Sequence, residues 1–169
     1  MAISTLKDLL VDQLRDLYNA ETQARRAYDR WAQDAQSEAL TDLLTDRLET
    51  TSRHINRVQE ICNAMNVNVA GKKCHGMEGL IAEGDAFLSD ATDGPVRDAG
   101  LVANAQRLEH YFIAGYGCAR AYAQQLDRTE AAAALQKNIE SCVAADEAMT
   151  TAADQVLNPG AQTTEGAAR

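Results

Sequence analysis

The sequence predicts an all-α fold, a four-helix bundle in which a longer crossover connects two pairs of helices. Glycine and proline number only 10 and 2, and aromatic residues make up 5% of the chain, so the composition favours helices over strands. Four long segments carry apolar residues three or four positions apart, and a non-periodic link separates the second segment from the third. With 169 residues, 46% of them apolar, the chain suits one domain with a single core.

The first pair of helices is predicted from residue 5 to about residue 32 and from residue 38 to about residue 66. Thr5 and Asp8 have the spacing of a capping box at the start of the first helix. The predicted inner face of this helix comprises Leu6, Leu10, Leu14, Leu17, Glu21, Ala24, Tyr28 and Trp31. The corresponding face of the second helix comprises Leu44, Leu48, Ser52, Ile55, Val58, Cys62 and Met65.

The crossover begins at "NVNVAGKKCHG", where the apolar period breaks, and the following "MEGLIAEGDAFLSD" predicts a short extra helix. Pro95 suits the first position of a third long helix, which runs to about Gln125. Its inner face comprises Val102, Ala105, Glu109, Phe112 and Tyr116.

The fourth long helix is predicted to begin near Thr129 and to end at Asn158-Pro159-Gly160. Its inner face comprises Leu135, Ile139, Cys142, Asp146, Met149, Ala153 and Val156. Residues 1–158 are therefore expected to form the bundle, and residues 159–169 a disordered tail.

The charge balance excludes nucleic acid as an expected partner, since 16 Lys and Arg against 25 Asp and Glu give a net charge of −9 without a long basic run. The N-terminus has no leader-like pattern, and no segment approaches the ~20 apolar residues that span a bilayer. The sequence therefore predicts a soluble, cytoplasmic protein without a membrane partner. The four cysteines form no CxxC pair and are expected to be reduced, partly buried thiols.

Each predicted inner face contains or borders a mid-helix carboxylate: Glu21, Glu49, Glu109 and Asp146. Buried carboxylates that lie close together need protons, basic partners or a cation. Bound metal is one solution, and one or two iron ions, or manganese, suit carboxylate ligands. Alternatively, the helix phase is off by a residue or two, and Glu21 and Glu49 pair at the bundle edge with arginines such as Arg25, Arg26 or Arg53.

The histidines and cysteines are secondary candidates for the site. At ~100° per residue, His54 lies about 140° from Glu49 around a straight helix and is expected to face solvent or an interface. His110 follows Glu109 directly, so it is rotated by ~100° from that residue and is expected to flank the site rather than to ligate metal. Cys142 could ligate as a thiolate, although sulfur is poorly matched to oxygen chemistry. Cys74-His75 lacks a second pair for a zinc site, and the chain has no Ser-His-Asp set or phosphate-binding glycine loop.

Several stretches resemble the YciE/YciF-type ferritin-like family over about residues 4–158. They are "LYNAETQ", "LET", "KKCHGMEGLIAEG" and "GPVRDAGLVANAQRLEHYFIAGYG", with a weaker match at "AADE". The resemblance implies a ferritin-like bundle with a carboxylate–histidine di-iron centre, a homodimer and a link to bacterial stress responses. The four carboxylates match acidic positions of the family pattern, whereas Ser52 stands at a His position, and Phe112 and Cys142 stand at Glu positions.

Two functions follow from this resemblance. In the first, the protein binds iron and has ferroxidase or peroxide-consuming activity, with Glu49 and Glu109 as bridging or chelating ligands and Glu21 and Asp146 as terminal ones. In the second, it is a non-enzymatic dimeric bundle with a degenerate metal site and a structural or partner-binding role. The three departures favour the second function, and the four carboxylates favour the first.

Overall fold

The computed structural model describes residues 3–167, with side chains described up to residue 162. Within that part of the chain the structure is helical and contains no strand. The elements are α1 (Leu6–Asp34), α2 (Glu38–Ala64), α3 (His75–Asp90), α4 (Pro95–Gln125), α5 (Thr129–Ala152), a π segment (Ala153–Leu157) and α6 (Asn158–Ala167).

Helices α1, α2, α4 and α5 form the predicted ferritin-like four-helix bundle. Helix α1 packs against α2 and α4, and α5 packs against the same two helices, so each long helix has two long neighbours. Helix α3 lies in the crossover and packs against α1 and α4. No described helix is long and apolar enough to cross a membrane.

The helix starts follow the local signals in the sequence. Thr5 Oγ1 accepts a hydrogen bond from the backbone N–H of Asp8 at 3.1 Å, and Asp8 Oδ2 accepts one from the N–H of Thr5 at 3.0 Å. This is the predicted capping box, which satisfies two backbone donors at the start of α1. Pro95 takes the first position of α4, where its missing N–H costs no helical hydrogen bond.

The predicted end of the fourth long helix at Asn158-Pro159-Gly160 is wrong, because the backbone stays helical through the π segment and α6. In the π turn the N–H of Asn158 donates to the carbonyl of Ala153, and this wider turn lets the helix continue just before Pro159. The π turn contains one residue more than an α turn, so Leu157 takes the buried position that the sequence predicted for Val156. Leu157 is 3% exposed, whereas Val156 is 50% exposed. The disorder expected for residues 159–169 in solution stays a prediction, and residues 168 and 169 lie outside the described part.

All four cysteines lie in the described part of the chain and are free thiols. Cys62, Cys74 and Cys142 are buried, and Cys118 is exposed.

Candidate functional site

The centre of the bundle contains two fully buried carboxylates, Glu21 on α1 and Glu109 on α4. Both come from the faces that the sequence predicts. A buried ionised carboxylate is costly unless hydrogen bonds and opposite charge compensate it. The groups around each carboxylate therefore decide what the site can do.

Glu109 is paired with an arginine. Arg47 Nε donates to Glu109 Oε1 at 2.8 Å, and the Tyr28 hydroxyl donates to the same oxygen at 2.5 Å. The Arg47 side chain is 2% exposed and its guanidinium carbon lies 5.9 Å from the centre of the Tyr28 ring. Burial raises the pKa of Glu109, and the Arg47 charge partly opposes that rise. Burial alone would lower the pKa of Arg47, but the negative charge of Glu109, with smaller contributions from other neighbours, more than offsets this. The pKa of Arg47 therefore lies above its usual value, and the guanidinium stays charged.

Glu21 is held by a histidine and a second tyrosine. His54 Nδ1 lies 2.8 Å from Glu21 Oε1, and the Tyr116 hydroxyl donates to that oxygen at 2.7 Å. The rings of His54 and Tyr116 meet edge to face at 5.8 Å. Burial, with the nearby carboxylate charges, raises the pKa values of Tyr28 and Tyr116, so both phenols stay neutral donors.

Several buried polar atoms at the centre make no hydrogen bond to described protein atoms. They include the second oxygens Glu21 Oε2 and Glu109 Oε2, together with His54 Nε2, Thr51 Oγ1 and Asn138 Nδ2. An unsatisfied buried polar group costs about 1–3 kcal/mol, and more when it is charged. The centre therefore keeps unused acceptors and donors beside its ion pair.

Two positions predicted on α2 do not face this centre. The Glu49 side chain is 83% exposed and pairs with Arg53 at 3.5 Å, so the expectation that four carboxylates share the core is wrong for Glu49. The alternative pairing with an arginine at the bundle edge is confirmed for Glu49 but is wrong for Glu21, which is 0% exposed and contacts His54 and Tyr116. Ser52 is half-buried and its hydroxyl donates to the carbonyl of Leu48, four residues earlier on the same helix.

Asp146 lies at the edge between α4 and α5, where its side chain is 20% exposed. It accepts a hydrogen bond from Gln106 Nε2 at 3.0 Å and lies 3.4 Å from His110 Nε2. The expectation that Asp146 points into the core beside Glu109 is therefore wrong, and the exposed His110 pairs with Asp146 at the surface. The helix turns Cys142 towards the centre instead.

Cys142 and Phe112 stand at the two positions where the resemblance implies Glu. Both are fully buried, and Cys142 Sγ lies 4.0 Å from Arg47 Nη2. Burial raises the pKa of the Cys142 thiol, and the charges of Glu109 and Glu21 raise it further. The thiol therefore stays protonated, which excludes it as a ready thiolate ligand.

Arg47 and His54 are the residues that the sequence analysis missed or misplaced. His54 is fully buried, so the prediction that it faces solvent is wrong. Arg47, Thr51, His54 and Val58 follow one another at spacings of four, three and four, and all four are buried on one face of α2. That spacing indicates a single helix face and could have identified these residues from the sequence. A helix face that carries an arginine and a histidine is, however, normally interpreted as exposed to solvent.

The central side chains do not fit the di-iron centre that the resemblance implies. Glu49 is at the surface, Phe112 cannot ligate metal, and the positive guanidinium of Arg47 occupies one oxygen of Glu109. Among the described residues, no group of three or more His, Cys, Asp or Glu side chains could hold a metal ion. The geometry is that of an internally paired polar core.

A family model described as "Domain of unknown function (DUF892)" matches residues 5–162. The chain belongs to this family. The protein YciF of Escherichia coli is 34% identical over 163 residues, which cover 96% of this chain and 98% of YciF. This relationship confirms the YciE/YciF resemblance found in the sequence.

Solved structures of similar chains agree with the fold. The crystal structure of the E. coli stress protein YciF has a TM-score of 0.88 and covers 92% of this chain and 99% of its own. YcfI of Rhodopseudomonas palustris, described as a candidate structural protein, is 36% identical with a TM-score of 0.85, covering 88% of this chain and 95% of its own. A protein from Xanthomonas campestris shares the fold alone, because it is only 17% identical. Its TM-score is 0.78, and the match covers 95% of this chain and 99% of its own.

Proposed function

We propose that this DUF892 protein is a non-enzymatic, stress-associated helical bundle with a degenerate metal site and a structural or partner-binding role. The observation that carries the proposal is the buried ion pair between Arg47 and Glu109, whose side chains are 2% and 0% exposed. A guanidinium at this place supplies the positive charge that a metal ion would otherwise bring to the carboxylates.

Electrostatics favour this function over metal chemistry. Two like unit charges 4 Å apart repel by about 4 kcal/mol at an effective dielectric constant of ~20, so a cation beside the Arg47 guanidinium is disfavoured. Oxidation of iron with oxygen or peroxide also needs several hard protein ligands besides an open coordination position, and Phe112 and the protonated Cys142 supply no such ligand. Fewer hard ligands at the centre make it a poorer site for the iron ion that would perform the redox step.

The relatives support the same class of function. The E. coli relative is called a stress protein, and the Rhodopseudomonas relative is described as a candidate structural protein. Homodimerisation is a further part of the proposal and is supported by the family resemblance, as is the cytoplasmic location expected from the sequence. Light scattering at two protein concentrations tests the dimer, and a monomer mass at both would remove it.

Iron binding, as one or two ions, with ferroxidase or peroxide-consuming activity, is the second candidate. The atoms that favour it are Glu21 Oε2, Glu109 Oε2 and His54 Nε2, which are buried and unpaired. Manganese would be accepted by the same oxygen and nitrogen donors.

Metal analysis of protein purified without chelator separates the two functions. The proposal expects far less than one equivalent of iron, no rise in the melting temperature when Fe²⁺ is added without oxygen, and no peroxide consumption above an iron-only control. Stoichiometric iron with a raised melting temperature would establish the second candidate. In that case Glu109→Gln should remove the iron, whereas the surface variant Glu49→Gln should not.

A further inference from the structure

The link between α3 and α4 contains an Asp-Gly pair, Asp93-Gly94, which occurs once in the chain. The chain has no Asn-Gly pair. In an Asp-Gly pair the backbone nitrogen of the glycine can attack the side-chain carboxyl carbon of the aspartate, because glycine has no side chain to hinder the approach. Asp93 is therefore the aspartate of this sequence that is most open to backbone attack.

The structure leaves the Asp93 carboxyl group free for this reaction. Asp93 and Gly94 lie between the end of α3 and the start of α4, and Asp93 is exposed. Within the described part of the chain, the Asp93 carboxylate makes no hydrogen bond or ion pair. Gly94 has a φ of +128°, which side chains with a Cβ rarely adopt, so the link itself requires the small residue that makes the pair reactive.

One contact restrains the attacking nitrogen. The N–H of Gly94 donates to Gln36 Oε1 at 2.7 Å, and Gln36 lies in the link between α1 and α2. The nitrogen must lose its proton and turn towards Asp93 Cγ before it can attack, so this hydrogen bond has to break first. Because Gln36 is exposed, the bond can open without disturbing the core.

We propose that Asp93 is a site of spontaneous isoaspartate formation, and that Gln36 slows the reaction by holding the N–H of Gly94. The Gly94 nitrogen forms a bond to Asp93 Cγ, and the hydroxyl of the protonated carboxyl group leaves with the amide proton as water. Water then opens the resulting succinimide ring at either carbonyl. Opening at the backbone carbonyl of Asp93 gives isoaspartate, and opening at Cγ restores aspartate.

The product changes the connection between two links of the bundle. Isoaspartate lengthens the backbone by one atom directly before Gly94, so the hydrogen bond from Gly94 to Gln36 is displaced. The remaining connection is Asp98 on α4, whose carboxylate accepts the backbone N–H groups of Gln36 at 3.0 Å and Ser37 at 2.7 Å. We expect the modified protein to melt at a lower temperature than the unmodified protein.

The test follows isoaspartate in wild type and Gln36→Ala during storage at physiological temperature and pH. Gln33→Ala is the matched control, since Gln33 is an exposed glutamine at the end of α1. The tryptic peptide that contains Asp93 also contains Asp85 and Asp90, each followed by alanine, as internal controls. Electron-transfer fragmentation in the mass spectrometer distinguishes isoaspartate from aspartate at each position.

Isoaspartate should accumulate at Asp93 but not at Asp85 or Asp90. Gln36→Ala should accelerate the reaction about 2- to 13-fold, the factor that corresponds to a hydrogen bond of about 0.5–1.5 kcal/mol. Gln33→Ala should react at the wild-type rate, and Gln36→Glu, which keeps an acceptor oxygen, should do the same.

Two results would overturn the proposal. If Asp93 in Gln36→Ala forms no more isoaspartate than Asp85 and Asp90 do, the pair is not a modification site. If wild type and Gln36→Ala react at equal rates, the contact with Gly94 does not protect the pair. Acceleration in Gln36→Glu equal to that in Gln36→Ala would likewise contradict the role of the acceptor oxygen.

Discussion

The Arg47 guanidinium and the Glu109 carboxylate form an ion pair across the bundle, with Nε and Oε1 2.8 Å apart. Both side chains are removed from water, so each charge depends on the other. A buried pair of this kind adds little net stability compared with apolar side chains, but removing one partner leaves an uncompensated charge.

Breaking this pair should therefore be costly and non-additive. Arg47→Met should lower the free energy of unfolding by about 3–5 kcal/mol in chelator-containing buffer. Glu109→Gln should also destabilise, because it leaves the arginine unpaired while keeping an acceptor for Tyr28. Urea unfolding of the double variant should show a smaller loss than the sum of the single losses. A strictly additive double variant would show that the two charges are not coupled.

The histidines provide a direct test of the orientation of α2. His54→Leu removes a partner of Glu21 Oε1 at 2.8 Å and should cost about 1–3 kcal/mol, because a buried carboxylate loses a hydrogen bond. The exposed His75 is the matched control, and His75→Leu should change stability by less than about 0.5 kcal/mol. Chemical unfolding of both variants gives the comparison. Equal, small effects would place His54 at the surface.

Two glycines of α3 should respond to alanine with opposite signs. A Cβ at Gly84 would overlap the Trp31 indole, so Gly84→Ala should destabilise the protein by about 1–3 kcal/mol. A Cβ at Gly79 would meet nothing within 4 Å, and Gly79→Ala should stabilise by about 0.5–1 kcal/mol through helix propensity. Thermal melts measure both changes. Stabilisation by both substitutions would mean that α3 does not pack on Trp31 as described.

Cys62 should contribute to alkaline destabilisation. Burial raises the pKa of its thiol from 9.0 to about 11. A group with a raised folded-state pKa contributes stability that is complete below the unfolded value, and that contribution is lost as the pH rises through the folded value. The stability difference between wild type and Cys62→Ala should therefore shrink by on the order of 2 kcal/mol from pH 9 to pH 11. The matched control is Cys118→Ala at an exposed position, which should change the free energy of unfolding at neutral pH by less than about 0.5 kcal/mol.

The fold was predictable because the apolar period, the Thr5 capping box and Pro95 agree with one another. The inner face of α4 was predicted correctly, since Glu109 lies between apolar residues that are all buried. The inner face of α2 was not. Because Leu48 and Ile55 are apolar, the sequence predicted that they lie on the inner face, in place of Arg47 and His54. In the structure Leu48 and Ile55 are only half-buried, and Arg47 and His54 are buried.

The remaining errors have equally local causes. One residue corresponds to a rotation of ~100° around a helix, which is enough to move a side chain such as Asp146 from the core to the edge of the bundle. The spacing of apolar residues along the sequence does not fix the helix orientation that closely. The π segment adds one residue to a turn, and no sequence signal before it distinguishes Val156 from Leu157. The sequence does not predict which side chains pair across the core, such as Tyr28 with Glu109, because that pairing depends on how the helices pack together.

The hydrogen bonds of the centre join helices at fixed heights along the bundle. Glu21 meets His54 and Tyr116, and Glu109 meets Arg47 and Tyr28, so α1, α2 and α4 are each joined to the other two. A slip of any one of them by a single turn, ~5.4 Å, would separate donors from acceptors that are now less than 3 Å apart. Contacts between leucine side chains tolerate such a slip far better than these hydrogen bonds do. The charged centre therefore fixes the alignment of the helices along the bundle axis and disfavours bundles in which one helix is shifted by a turn.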